Sequence, residues 1–152
     1  MYEIITGENH EEFEAFVRRH PKGHMLQTYE WSKQKPYWTF RGIIVRDGNG
    51  EIQGAMSVLI RKIPTTPYTL MYAARGPVCD VHDKAMIAEL LAGAKALAKE
   101  FHSYVLKIDP DIKYEDVDFR RLMRELGFVL APKAPNFGNI QPQYVMRLNI
   151  KG

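Results

Sequence analysis

The stretch Met71-Tyr72-Ala73-Ala74-Arg75-Gly76-Pro77-Val78-Cys79-Asp80 lies between an apolar run and a strongly amphipathic segment. The apolar run that ends at Ala74 predicts a strand, and the segment that follows Asp80 predicts a helix. The Arg75-Gly76-Pro77 sequence therefore lies at a strand end, where the chain must turn. Functional sites of open α/β sheets are commonly found at such ends. The stretch thus predicts an α/β fold and also the place of its site.

A long amphipathic helix is predicted directly after this stretch, over residues 83–101. Its apolar residues recur at helical spacing and form one stripe, and Asp83 is the candidate N-cap. A further helix is predicted over about 116–126. Gly127 suits the C′ position at its end, and Phe128 is placed to pack back on its last turn. Both helices are expected to pack on the sheet through their apolar stripes.

The residues before the stretch predict two helices and a run of strands. Asp47-Gly48-Asn49-Gly50 indicates a hairpin turn, because Gly and Asn accept a positive φ. Asn9 with Glu12 three residues later predicts a capping box at the start of the first helix. A second short helix is predicted over about 27–34 and ends before Pro36. The predicted strands lie at 2–6, 38–46, 51–62, 68–74, 103–108, 128–130 and 143–150, with a loop at 131–142.

The order of these elements predicts an α/β domain with a mixed, mainly antiparallel sheet flanked by helices. It matches the order of the Gcn5-related N-acetyltransferase fold, called the acetyltransferase-type fold below. Leu126-Gly127-Phe128 resembles a step that is common in that fold. The 152 residues are expected to form one such domain, 1–152. Within the sheet, residues 103–108 are expected to be buried, and Ile52 is expected on the same face as Met56.

Composition and charge limit the class of protein. The formal net charge of +3 is too mild to drive non-specific nucleic-acid binding but suits an anionic ligand. The single Cys79 excludes an intramolecular disulfide and fits a reducing compartment. The histidines lack metal-ligand spacing, so no metal is expected. No apolar run reaches the ~18 residues of a membrane span, and no signal peptide is predicted, so the expected compartment is the cytoplasm.

The loop after the central strand argues against acetyl-CoA as a cofactor. Acetyl-CoA users of the acetyltransferase-type fold carry an Arg/Gln-x-x-Gly-x-Gly/Ala loop here, whose backbone amides bind pyrophosphate at a helix N-terminus. In this chain Pro77 removes one backbone donor. Asp80 and Asp83 place negative charge where the phosphates would lie. The sequence therefore predicts no acetyl-CoA binding, and no other cofactor is expected.

Six short motifs occur in order along the chain. They are His20-Pro21-x-Gly23-His24, Gln27-Thr28-Tyr29-Glu30-Trp31-Ser32-Lys33-Gln34-Lys35, Tyr72-x-x-Arg75-Gly76-Pro77-x-x-Asp80, Ala98-Lys99-Glu100, Lys107-Ile108-Asp109-Pro110 and Gln141-Pro142. Together they resemble the Fem family of peptidoglycan-bridge aminoacyltransferases, whose members also resemble methicillin-resistance factors. The family transfers an amino acid from aminoacyl-tRNA to the peptide of a peptidoglycan precursor. The resemblance implies that activity and an acetyltransferase-type fold.

The resemblance also implies that the chain is part of a larger enzyme. Family members have two acetyltransferase-type domains, often with a helical-arm insertion, and the match lies in the first. We therefore expect the chain to supply the half that binds the precursor, a UDP-linked or lipid-linked muropeptide, and not to transfer an amino acid from tRNA alone. A missing partner domain leaves an apolar face exposed, through which the chain is expected to self-associate.

A lysine at the end of the second motif is the first implied ligand of the substrate. Lys35 resembles the family lysine that binds the diphosphate of the precursor, and an ammonium is a suitable point charge for phosphate. Lys33 competes for this role, because the register of the match is uncertain by one or two residues. The alternative for either side chain is a solvated surface lysine.

Three further residues are implied in substrate binding, namely Tyr72, Arg75 and Asp109. Tyr72 is expected to hydrogen-bond or stack on the ligand, unless it is a half-buried core tyrosine. Arg75 suits bidentate pairing with a phosphate or carboxylate, or else a structural tie to Asp80 or Asp109. Asp109 is the candidate catalytic residue and is expected to point into a cleft near the acceptor amine, the alternative being a cap on the turn that follows. As a base it is weak, since an unperturbed aspartate has a pKa of about 3.9.

Two other functions stay open at the level of sequence. One is a non-catalytic module that binds a nucleotide-sugar or a partner, and the other is a small-molecule N-acyltransferase that uses CoA. The missing pyrophosphate loop argues against the second. For the aminoacyltransferase itself, the expected chemistry is attack by the precursor amine on the activated aminoacyl ester, with the protein mainly orienting the two substrates.

Overall fold

Five strands form one mixed sheet in the computed structural model, which describes residues 1–130. The strands are β1 (Tyr2–Ile5), β2 (Thr39–Arg46), β3 (Ile52–Lys62), β4 (Thr69–Arg75) and β5 (Ser103–Pro110). They lie in chain order across the sheet. Neighbouring strands are antiparallel, except that β4 and β5 are parallel. The predicted mixed, mainly antiparallel sheet is confirmed.

Within residues 1–130, four α-helices and one short 3₁₀ helix flank this sheet. The α-helices are α1 (Glu11–Arg19), α2 (Tyr29–Ser32), α3 (Lys84–Glu100) and α4 (Val117–Glu125), and the 3₁₀ helix is Met25–Gln27. The helix predicted over about 27–34 is shorter in the structure, where α2 covers Tyr29–Ser32 and a separate 3₁₀ helix precedes it. Thr28 separates the two helices, because its extended backbone ends the 3₁₀ helix while its hydroxyl caps α2 by accepting from the Trp31 N–H.

The two faces of the sheet carry separate cores. On one face, α3 and α4 bury an apolar cluster that includes Ile43, Met56 and Leu90. On the other face, α1 packs with Phe13 and a second cluster, and the aromatic rings of α2 border it. This sandwich follows from strand alternation, since successive side chains point to opposite faces.

The crossover from β4 to β5 places two strand ends side by side. Helix α3 makes this connection and begins where predicted, with the Asp83 carboxylate accepting from the Met86 N–H at 3.0 Å. Helix α4 also terminates as predicted: Leu126 is its C-cap, and Gly127 follows at C′ with φ +91°. The Phe128 N–H donates to the Met123 carbonyl at 2.9 Å, and the Phe128 ring packs on the core. Parallel pairing then aligns the carboxyl ends of β4 and β5.

The predicted capping box at Asn9 is wrong. The Asn9 side chain accepts from the backbone N–H of Thr6 at 2.8 Å and from its hydroxyl at 3.1 Å. Helix α1 instead begins at Glu11 after His10, which provides no side-chain cap. Asparagine side chains readily accept hydrogen bonds from nearby backbone donors. The Asn9 side chain therefore stabilises a local turn instead of capping α1.

The predicted face of Ile52 is also wrong, and a β-bulge explains why. The ladder pairs Val45 with Gly54 but Arg46 with Ile52, which leaves Gln53 as an extra residue. One extra residue reverses the alternation. Ile52 therefore packs in the cluster under α1, whereas Met56 packs under α3.

Two further strand predictions differ from the structure. Strand β5 has the predicted position, but none of its residues is buried, because it pairs with one strand within residues 1–130. Residues 128–130 form no strand, while the predicted strand 143–150 and loop 131–142 lie outside the described residues. Within residues 1–130, no helix is both long and apolar enough to cross a lipid bilayer.

Candidate functional site

The pairing of β3 with β4 stops halfway, and this opening defines the site. The ladder runs from Lys62 and Thr69 to Leu59 and Tyr72, and the strands then separate. Strand β3 regains a partner further on, where Val78 exchanges both backbone hydrogen bonds with Ala55 at 2.8 and 2.9 Å. Between these two points, backbone groups of the two strands need other partners.

Gln27 supplies those partners from the end of the 3₁₀ helix. Its Oε1 accepts from the Ser57 N–H at 2.8 Å. Its Nε2 donates to the Ser57 carbonyl at 3.3 Å and to the Ala74 carbonyl at 2.6 Å. The side chain is fully buried. The glutamine amide therefore replaces a rung of the missing ladder and holds the opening at a fixed width.

The turn after β4 packs tightly on this amide. A Cβ at Gly76 would lie 2.7 Å from Gln27 Oε1, so the position requires glycine. Gly76 joins Pro77 through a cis peptide bond, and the preceding Arg75 has φ +56°. A non-glycine residue in the left-handed region costs roughly 1 kcal/mol or more. The surroundings must therefore hold Arg75 in place.

Asp109 at the end of β5 holds that turn through the backbone. Its Oδ1 accepts from the Arg75 backbone N–H at 2.9 Å, and its Oδ2 accepts from the Tyr72 hydroxyl at 3.1 Å. These partners lie on β4, so the alternative that Asp109 caps the following turn does not describe its contacts. The structure thus brings together three predicted site residues, which we call the strand-end cluster: Tyr72, Arg75 and Asp109.

The Asp109 carboxyl is electrostatically unusual. Partial burial raises its pKa above the ordinary aspartate value, because desolvation penalises the charged form. The Arg75 N–H, the Tyr72 hydroxyl and the Arg75 charge oppose this shift. The result is a half-buried carboxyl that already has two donors and whose proton affinity exceeds that of a solvated aspartate.

Within residues 1–130, the apolar core under α1 does not extend over the strand-end cluster. Met71 and Ala73 point to the α3 side, so alternation places Tyr72, Lys107 and Asp109 on the α1 side. The core under α1 draws no residue from β4 or β5. Consistent with this, Lys107 beside Tyr72 is exposed, and Tyr72 and Asp109 are half-buried. The arrangement suits a ligand that lies along the strands.

Lys35 and Lys33 have different surroundings. The Lys33 ammonium pairs with Glu30 at 2.7 Å, whereas the Lys35 ammonium lies 5.0 Å from the centre of the Trp31 ring. Within residues 1–130, no carboxylate lies within ion-pair distance of Lys35. Trp31 packs on the core on the α1 side of the sheet, so Lys35 beside its ring lies on the same side as the strand-end cluster. Of the two lysines, it is the better placed to receive an anion.

The β4–α3 turn is poorly suited to bind a pyrophosphate, and its cysteine is not an activated nucleophile. The N-terminus of α3 is capped by its own Asp83, and Asp80 accepts from the His82 N–H at 2.9 Å. Cys79 is buried, and burial raises the pKa of its thiol to about 12, which leaves it inert. Within residues 1–130, no group of three or more metal-binding side chains is placed to hold an ion.

Two clefts border the site without containing it. One of about 570 Å³ lies below the β4–α3 turn and has a mixed lining that includes Lys22, Asp80 and Lys113. The other, of about 490 Å³, lies between α1 and α2 against Trp31 and Gln34. Neither cleft is lined by Tyr72 or Asp109.

Two residues of this region were not predicted as site residues, namely Gln27 and Lys107. Both lie in motifs of the sequence, but no local pattern assigns them a role. The one available signal for Gln27 was its position directly before an N-cap threonine at the start of a motif. Its partners lie 30 and 47 residues away in the chain, which no periodicity reveals.

Comparison with known proteins gives consistent results. A model described as the FemAB family matches residues 9–127. The lipid II:glycine glycyltransferase of Staphylococcus epidermidis is 42% identical over 127 residues, which are 82% of this chain and 30% of the relative. The enzyme of the same name from Staphylococcus aureus is 41% identical over 128 residues, 82% of this chain and 29% of the relative.

Solved structures agree with these sequence matches. A crystal structure of FemX superposes with a TM-score of 0.73 at 38% identity, over 84% of this chain and 31% of that chain. An aminoglycoside acetyltransferase from a soil metagenome superposes with a TM-score of 0.65 at 11% identity, over 97% of this chain and 96% of that chain. This second likeness confirms the acetyltransferase-type fold alone. The chain spans about 30% of the length of the curated relatives it matches.

Proposed function

Because the chain belongs to the FemAB family, we propose that it binds the acceptor precursor in aminoacyl transfer during peptidoglycan-bridge synthesis. The observation that carries this proposal is the strand-end cluster, in which Tyr72 and the Arg75 N–H hold the Asp109 carboxyl on the α1 side of the sheet. A held carboxylate suits an amine, which is the group that accepts the amino acid.

The binding site is proposed to extend from Lys35 to Asp109. Lys35 receives the diphosphate of a UDP-linked or lipid-linked precursor, since its ammonium has no carboxylate partner within residues 1–130 and Lys33 is paired with Glu30. Tyr72 lies between them on the same side of the sheet and contacts the sugar or peptide. The ligand is therefore extended along β4 rather than enclosed in a cavity.

Asp109 is proposed to bind and then deprotonate the acceptor amine. As the amine nitrogen attacks the ester carbonyl, a C–N bond forms, the ester C–O bond breaks, and the ribose oxygen of the tRNA leaves with a proton. A carboxyl with a raised pKa is a better base for this proton than a solvated aspartate. Most of the rate enhancement comes from orientation of the two substrates.

The remaining part of the enzyme is proposed to supply the aminoacyl-tRNA side. The chain spans about 30% of the length of the curated relatives. It is proposed to supply the acceptor side, and alone it is expected to give no transfer product with charged tRNA and precursor. Acetyl-CoA has no part in the proposed reaction. The reaction is placed on the cytoplasmic side of the membrane, where aminoacyl-tRNA is available.

The experiment compares two forms of one ligand, a UDP-linked muropeptide with its acceptor amine free or acetylated. Isothermal titration of the wild-type chain is expected to give roughly tenfold weaker binding for the acetylated form, since a hydrogen bond to a charged group is lost. Asp109→Asn is expected to bind both forms equally, with the affinity of the acetylated form unchanged. Equal binding of both forms by the wild type refutes the role of Asp109, and no binding of either form refutes the proposed function.

A further inference from the structure

Two adjacent segments lie at the end of the sheet farthest from the strand-end cluster, beside the turn from α3 into β5. Residues 33–38 lead into β2, and residues 61–68 include the end of β3 and the loop to β4. Thr39 pairs with Ile60, and the Ile63 N–H donates to the Tyr68 carbonyl at 3.0 Å, so the segments lie side by side. We call residues 33–38 and 61–68 the basic tip.

The basic tip concentrates positive charge. It carries Lys33, Lys35, Arg61 and Lys62 but no acidic residue, whereas the whole chain has a formal net charge of only +3. Arg61 and Lys62 are exposed, and within residues 1–130 no carboxylate lies within ion-pair distance of either. The nearest acid along these segments is Glu30, which Lys33 already engages. Most of this charge is therefore available to an external anion.

The same tip exposes aromatic rings. Tyr37 is 83% exposed and Tyr68 is 53% exposed. Trp38 is half-buried, with the Arg61 guanidinium 5.7 Å from its ring centre. Three prolines, Pro36, Pro64 and Pro67, restrict the backbone around these rings. The tip thus presents amphipathic rings from short, constrained segments.

From this combination we propose that the basic tip binds the surface of an anionic lipid bilayer. Tyrosine and tryptophan favour the headgroup level, where one end of the ring is apolar and the other is hydrated. Basic side chains gain attraction from anionic headgroups at the same depth. A nucleic acid is a poorer fit, because the formal net charge of +3 is too mild to drive non-specific binding to a phosphate backbone.

One consequence of this orientation rests on the proposed function. Lys35, the proposed ligand of the diphosphate, lies within the tip. Strand β4 has seven residues, so Asp109 lies about 20 Å from this end of the sheet at ~3.3 Å per residue. A lipid-linked precursor carries its diphosphate at the membrane surface and its peptide farther out. A chain docked through the tip would meet both groups at the matching heights.

The test uses vesicles without any precursor, so its result does not depend on the proposed substrate. Binding of the 152-residue chain is measured by cosedimentation with phosphatidylcholine vesicles, with and without phosphatidylglycerol. The chain is expected to bind the anionic vesicles at low salt and not the zwitterionic ones. Arg61→Glu with Lys62→Glu is expected to lower the partition coefficient roughly tenfold or more, and Tyr37→Ala to lower it about threefold.

The control reverses the charge of two cations outside the basic tip, so that the total change in charge is the same. Lys95→Glu with Arg124→Glu alters exposed residues of α3 and α4 and is expected to leave vesicle binding within about twofold of the wild type. Thermal unfolding establishes that each variant is folded. Absence of binding to anionic vesicles, or an equal loss in both double variants, overturns the proposal. If the Arg61→Glu with Lys62→Glu variant loses binding to uncharged tRNA but keeps binding to anionic vesicles, the tip is a nucleic-acid site. That result also overturns the proposal.

Discussion

Gln27 and Ser57 share two hydrogen bonds of the kind that two residues exchange across an antiparallel ladder. The Ser57 N–H donates to Gln27 Oε1 at 2.8 Å, and Gln27 Nε2 donates to the Ser57 carbonyl at 3.3 Å. The Gln27 amide thus forms the hydrogen bonds that a residue of a neighbouring strand would otherwise make with Ser57. The separation of β3 from β4 is therefore a fixed feature of the fold, and the turn that carries Arg75 rests on it.

Removal of this amide is expected to destabilise the fold. Gln27→Leu keeps similar volume but leaves the buried Ser57 N–H and the Ala74 carbonyl without their partner, at about 1–3 kcal/mol for each such group. We expect the free energy of unfolding to fall by roughly 2–4 kcal/mol in urea titrations. Gln34→Leu alters an exposed glutamine and is expected to stay within about 0.5 kcal/mol of the wild type. Similar losses in both variants would contradict the assigned role of Gln27.

Gly76→Ala tests the contact between the turn and the amide. The added Cβ meets the Gln27 amide at 2.7–2.8 Å, so the turn or the glutamine must move, and we expect a loss of about 1–3 kcal/mol in unfolding free energy. Gly48→Ala in the hairpin turn is the matched control, because nothing lies within 4 Å of its added Cβ. The prediction fails if the two alanine variants unfold at the same urea concentration.

Lys35→Ala is expected to weaken binding of a UDP-linked precursor by about 1–3 kcal/mol, as for loss of a hydrogen bond to a charged group. Lys33→Ala should change the affinity little, because Lys33 is held by Glu30 at the surface. Isothermal titration of both variants under the same conditions decides between the two lysines. A larger loss for Lys33→Ala would transfer the diphosphate role to that residue.

The raised pKa of Asp109 predicts a dependence of stability on pH. Burial raises the pKa of Asp109 in the folded state above the ordinary aspartate value, so at a pH between these two values the folded state binds more protons than the unfolded state. Asp109 therefore lowers stability as pH rises from the ordinary aspartate value through the raised one. Asp109→Asn should lack this component, and urea midpoints measured against pH should diverge between the two proteins. Parallel profiles would show that the pKa is not raised.

Most of the fold was predictable because its signals are local. Asp83 caps α3 within three residues, and the turn at 47–50 joins two neighbouring strands. The errors arose where a local signal had a competitor. The Asn9 side chain accepts a backbone hydrogen bond in a turn instead of capping the helix. The bulge opposite Arg46 places Ile52 on the other face of the sheet, and no residue pattern within β3 predicts this bulge.

The sequence motifs led to three residues that the structure brings together, but they did not reveal how these residues contact one another. The motifs led to Tyr72, Arg75 and Asp109, and these residues do meet. The hydrogen bond to Asp109 comes from the backbone N–H of Arg75. Arg75 has a left-handed conformation, which an arginine in a sequence does not predict. The support by Gln27 depends on strands far along the chain, so only the tertiary structure reveals it.

The amide rung also has a consequence for how the protein could be divided. Gln27 lies in a segment that precedes β2, and its hydrogen bonds reach Ser57 and Ala74 in the later sheet. If the chain were cut within residues 33–38, the larger fragment would keep most strand ladders. It would lack the Gln27 amide that lies between β3 and β4. Reassembly of the two fragments would then restore the turn at Arg75. Ligand binding could thus serve as a reporter of fragment complementation.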